Sequence, residues 1–143
     1  MKFTADEIKQ LMSASYKKEM FDIGKFKIDK EVSSIRVKAY TVDDESDVIV
    51  THRGSADVKD WMDNADFFRI NKLERSPTYK MHLKTHMKIV DKYGANNIIV
   101  MGHSRGGLYA TALYKKKLAK QLINYNKPVN MYDIAKDVLR KKT

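Results

Sequence analysis

Gly102-His103-Ser104-Arg105-Gly106 is a Gly-x-Ser-x-Gly sequence, and the apolar run Ile98-Ile99-Val100-Met101 leads straight into it. This is the sequence form of a nucleophile elbow, a sharp strand-to-helix turn that presents a serine hydroxyl for covalent catalysis. The flanking glycines have a mechanical job, because side chains two residues either side of the serine would collide with the neighbouring strand and helix. A helix starting after Ser104 would point unpaired backbone N–H groups at a developing oxyanion. A serine is a poor nucleophile without an adjacent base, and the histidines available are His52, His82, His86 and His103. His82 and His86 have the i, i+4 spacing of a metal pair, but no Glu stands at the central position and no third ligand is evident. They read as surface histidines, and neither a metal nor a cofactor is expected.

The elements that must position Ser104 follow from apolar patterning. Residues 98–101 are β-branched at three of four positions, as a buried parallel strand should be. Residues 108–122 read as the helix after the turn. Upstream, residues 35–40 alternate apolar and polar as a half-buried strand, the acidic stretch 43–47 is a turn, and Val48-Ile49-Val50 is a second strand, together a hairpin at a sheet edge. Thr4-Ala5-Asp6-Glu7 is a capping box opening an amphipathic helix with Ile8, Leu11, Met12, Ser15, Tyr16 and Met20 on one face. Ser76-Pro77 caps a helix over 77–92, with Tyr79, Leu83, Met87 and Val90 in register and Gly94 as its stop. Residues 128–132 read as a short strand, and 133–142 as a terminal helix or frayed tail.

With 143 residues, 43% hydrophobic and 32% charged, the chain reads as a single domain over 1–143. No apolar stretch is long enough to span a bilayer, no apolar signal core opens the sequence, and cysteine is absent. A cytoplasmic location is the expectation. The formal net charge is +10, and residues 100–143 hold ten Lys/Arg against two Asp. A basic face there could meet an anionic surface. No motif with interleaved aromatics points to specific nucleic-acid binding.

Two motifs stand in order: Val-Ile-Val-Thr-His-Arg-Gly-Ser-x-x-x-x-Asp-Trp at 48–61 and Ile-Ile-Val-Met-Gly-His-Ser-Arg-Gly-Gly at 98–107. Their order and separation resemble the class 3 (fungal-type) lipase family over about residues 35–125. The resemblance implies an α/β fold of α/β-hydrolase type, a mixed sheet flanked by helices, and metal-free hydrolysis of ester or lipid-like substrates. It implies Ser104 as nucleophile, with Ser55 and the Arg105 backbone N–H in the oxyanion hole. The segment 56–68, with Phe67 and Phe68, matches the family's lid, and His103 matches the histidine beside the nucleophile.

The sequence departs from the family in three places. Arg105 replaces a leucine, and Asp57 stands where a small hydroxyl residue is common. In the family, the catalytic Asp and then His follow the elbow, whereas here no histidine follows His103. That pattern reads as a domain truncated on its C-terminal side. Within the chain, Asp133, after the strand expected at 129–132, is the candidate triad acid. His52, at the end of the strand before Arg53-Gly54-Ser55, is the candidate substitute base. Two other readings stand beside a serine esterase: a catalytically degenerate lipase-like binding module, and a basic binder of anionic surfaces.

Overall fold

Thr4 and Glu7 close the first helix reciprocally: Thr4 Oγ1 accepts from the Glu7 N–H at 3.0 Å, and Glu7 Oε1 from the Thr4 N–H at 2.9 Å. In the computed structural model, which describes residues 1–54 and 70–126, this helix is α1, Ala5–Ser15. The strands are β1 (Lys27–Ile28), β2 (Val37–Thr41), β3 (Val48–His52), β4 (Ile98–His103) and β5 (Gln121–Tyr125). The other helices are α2 (Ile70–Arg75), α3 (Pro77–Tyr93) and α4 (Arg105–Lys115). Among the described residues, no helix is long and apolar enough to cross a membrane.

The strands make one mixed sheet in the order β1-β2-β3-β4-β5. The first two pairings are antiparallel and the last two parallel. The expected hairpin is therefore present, and β1 extends it outward by a strand too short to show in the pattern.

Side-chain alternation sorts the sheet into two faces. Tyr40, Ile49, Ile99 and Met101 pack with Leu11, Met12 and Ala14 of α1. Val37, Ala39, Val48, Val50, Ile98 and Val100 pack on the other face with Ile89 of α3 and Ala110 of α4. The same period of two sends Lys38 and His103 toward α1, and His52 toward α3.

Three expectations are corrected. Strand β2 is buried on both faces rather than half-buried. Its Lys38 is accommodated because Nζ donates to the carbonyls of Ala14, at 3.0 Å in the last turn of α1, and of Lys17 just beyond it. Burial pulls its pKa down to about 8, and the Arg53 charge adds to that. Helix α4 ends at Lys115 instead of running to 122, and the chain turns through Lys117 at φ 62°. Residues 121–125 alternate as a strand, Ile123 and Tyr125 facing the α1 side and Leu122 the other. The first strand after the Ser104 turn is thus β5, whereas the strand expected at 128–132 lies outside the described residues.

Helix α3 keeps its Ser76 cap and its Gly94 stop, where φ is 86°. Its buried face is Tyr79, His82, His86 and Ile89, not the stripe through Leu83 and Met87. The acidic turn also does more than solvate a hairpin. Asp47 is buried and accepts from Lys120 and from the N-terminal amine, and the Lys120 bond is the largest of the causes that lower its pKa.

Candidate functional site

Strand β4 runs into α4 through a single residue, Ser104, whose φ of 59° and ψ of −124° lie in a region that side-chain-bearing residues avoid. Such a conformation persists only where the surroundings over-determine it. Here they do so through backbone contact. A Cβ on Gly102 would overlap the carbonyl of Gly106. One on Gly106 would overlap the carbonyl of His52 and lie 3.0 Å from Gly54 N. A Cβ on Gly107 would meet only the Asn124 amide. The glycines therefore admit strand, helix and the neighbouring β3 exit to one point.

Ser104 is half-buried, and its side chain makes no capping bond to α4. Because α4 begins at Arg105, the positive end of the helix sits beside Ser104, with the Gly107 N–H donating to the Ser104 carbonyl at 3.0 Å. The exit of β3 is pressed against the same turn: an added Cβ on Gly54 would lie 2.6 Å from the His103 carbonyl. The two sequence motifs thus meet in space as far as Gly54. Ser55, Asp57, Phe67, Phe68 and Asp133 lie outside the described residues.

The histidines are placed differently from the expectation. His82 and His86 are not surface residues; they and His52 are almost fully buried between β3 and α3. His52 Nδ1 lies 2.9 Å from His82 Nδ1, and His52 Nε2 lies 3.1 Å from His86 Nδ1. His86 Nε2 reaches the Leu118 carbonyl at 2.8 Å. A carbonyl only accepts, so His86 carries its proton on Nε2 and accepts on Nδ1. His52 must then donate from Nε2 and accept on Nδ1, and His82 must donate from Nδ1. The heavy-atom geometry fixes all three tautomers in one direction.

This arrangement is a hydrogen-bonded row, not a ligand set, because His52 spends a different nitrogen on each neighbour. Among the described residues, no group of histidines and acids is arranged to hold a metal. Desolvation is the main cause holding all three neutral, and His82 is pushed down to about 3, with Arg36, Arg105 and Arg53 adding to the effect. With both ring nitrogens engaged, His52 has none left to turn toward a serine hydroxyl. The clue in the sequence was the spacing of Tyr79, His82, His86 and Ile89, which marks a helix face as clearly as the apolar residues do.

His103 faces α1, where its Nδ1 lies 2.6 Å from the Tyr16 hydroxyl, which also donates to the His103 carbonyl at 3.3 Å. Tyr16 is the C-cap of α1, and burial pushes its pKa up to about 12. Tyr16→Phe is expected to lower stability by about 1 kcal/mol, read from urea denaturation, because His103 Nδ1 loses this partner. An unchanged midpoint would show that this bond contributes nothing.

No protein-family model matches the chain, and no curated protein matches it. Among solved structures, the chain is similar to a fungal lipase in complex with an inhibitor, solved as a model for interfacial activation in lipases. That likeness has 20% identity and a TM-score of 0.50, and covers 81% of this chain and 58% of the lipase. It is also similar to the triacylglyceride lipase of Rhizomucor miehei, at 18% identity and a TM-score of 0.48, over 86% of this chain and 62% of that one. The chain spans about three-fifths of the length of these structures. At such identity the likeness is one of architecture: the mixed five-stranded sheet and its flanking helices have the lipase α/β-hydrolase fold.

Proposed function

We propose that the chain is a lipase-like serine ester hydrolase with Ser104 as its nucleophile. The observation that carries this reading is the backbone of Ser104, held at φ 59° between a buried strand and a helix N-terminus by glycines that tolerate no Cβ. A purely structural turn has no need of a serine there, since glycine takes positive φ at no steric cost. In this reading the Arg105 N–H and Ser55 stabilise the oxyanion, and Asp133 is the acid. Attack by Oγ on an ester carbonyl breaks the ester C–O bond, the serine proton leaves with the alcohol, and water then cleaves the acyl-serine to release the acid and restore the hydroxyl.

A second reading is favoured by the histidines. His52 is committed to His82 and His86, His86 to the Leu118 carbonyl, and His103 Nδ1 lies against the Tyr16 hydroxyl. The chain is then a lipase-like fold that binds esters without turning them over. With an oxyanion hole and binding alone, catalysis falls to roughly 10³-fold over water.

A fluorophosphonate probe separates the two. The expected result is one adduct, mapped by mass spectrometry to Ser104, with labelling and p-nitrophenyl butyrate hydrolysis both lost in Ser104→Ala. Folded protein that stays unlabelled supports the binding module and removes the hydrolase reading.

A further inference from the structure

A cavity of about 180 Å³ is bounded by the exit of β3, the start of α3 and the first turns of α4. Arg36, Arg53 and Arg105 line it, together with Thr78, His82 and Tyr109. None of its described lining residues is acidic. Among the described residues, no carboxylate pairs with Arg36 or Arg53. Arg105 lies over the Tyr109 ring at 5.5 Å and has further contacts of its own, so the weight falls on the other two arginines. The Tyr109 residue is 1% exposed, and its hydroxyl, beside the Arg105 side chain, meets no acceptor among the described residues.

Cations gathered around a small cavity repel one another, and a bound anion relieves that repulsion. The convergence is real at the level of charge, since all three arginines act on His82. Guanidinium groups match the paired oxygens of carboxylates and phosphates, and the Tyr109 O–H supplies one more donor. The space matches roughly six water molecules, enough for such an anion, and its described lining is cationic rather than apolar. Gly54 and Arg105 belong both to this cavity and to the turn that carries Ser104.

We propose that this cavity is an anion-binding subsite in which Arg36 and Arg53, with Tyr109, hold a carboxylate or phosphate group. The anion is either a free ion or a charged group on the ester, and the second case rests on Ser104 being the nucleophile. Esters that carry a negative charge near the acyl carbon are then preferred over neutral ones.

Two measurements on the full chain test the site. The first is calorimetric titration with inorganic phosphate. Binding at millimolar phosphate is expected, weakened about tenfold or more in R36Q/R53Q and little changed in K9Q/K115Q, which removes two exposed charges elsewhere. No binding to the unsubstituted chain overturns the site, whatever the variants do. The second compares kcat/KM for p-nitrophenyl butyrate and the mono-p-nitrophenyl ester of succinic acid. A preference for the succinate ester that R36Q/R53Q removes ties the site to the substrate. Phosphate binding with no turnover of either ester supports the site as one for a free ion and counts against Ser104 alone. Equal turnover of both esters without phosphate binding overturns the site and leaves Ser104 standing.

Discussion

Gly106→Ala is expected to lower stability by about 3 kcal/mol, or roughly 10 °C in Tm, and to abolish any chemistry at Ser104. The added methyl would occupy the position of the His52 carbonyl, which belongs to a central strand and cannot move without breaking the β3–β4 pairing. Gly102→Ala should behave alike, because its methyl meets the backbone of Gly106 and Gly107. Gly107→Ala is the internal control. There the obstacle is the side-chain amide of Asn124, an exposed residue that can swing aside, so a loss below about 1 kcal/mol is expected. Thermal melts of the three variants decide the matter. Equal midpoints would mean that the turn is not held by backbone contact.

The second large effect is acid lability. The histidine row is neutral in the folded chain, while each ring in the unfolded chain takes a proton near its ordinary value of 6.5. Below that pH the unfolded state binds more protons than the folded one, so stability falls as pH falls. The stability is fully present above 6.5 and drains away toward the depressed folded values. His82, folded at about 3, alone removes about 2 kcal/mol between pH 6.5 and 5. His52 and His86 act in the same direction. Asp29 and Asp47 do not contaminate this window. Their carboxylates are stabilised in the fold, so their contributions are lost only below their ordinary value of 3.8. Urea midpoints at pH 7, 6 and 5 should therefore drop steeply; a flat profile would sink the tautomer assignment and the neutral row together.

Much of this was legible because local signals and the fold agree. The capping box at Thr4, the Ser76 cap, the Gly94 stop and the apolar run at 98–101 all act within one turn or strand, and all are where the sequence puts them. Where long-range burial decides, local pattern and fold part. Lys38 reads as a solvent-facing strand residue until the C-terminal carbonyls of α1 are brought to it. His82 and His86 read as surface residues until His52 arrives from a strand thirty residues upstream to pair with them. The overrun of α4 has a simpler cause. Leu118, Ala119 and Leu122 continue a helical spacing by coincidence, and the strand alternation from Gln121 to Tyr125 is only five residues long. At the site itself, the turn at Ser104 was readable from its glycines, whereas the position of a base is a matter of tertiary packing that no spacing encodes.

Lys38 has a use that its packing alone would not suggest. Burial is the main cause that pulls the Lys38 amine down to about 8, and the residue is 1% exposed, so uncovering it returns the amine toward its ordinary 10.5. It meets a reagent only when α1 lifts away from β2. Its rate of acylation by a soluble activated ester is therefore a clock for that opening. Tyr16, which ends the same helix, carries its contact to His103, the residue next to Ser104.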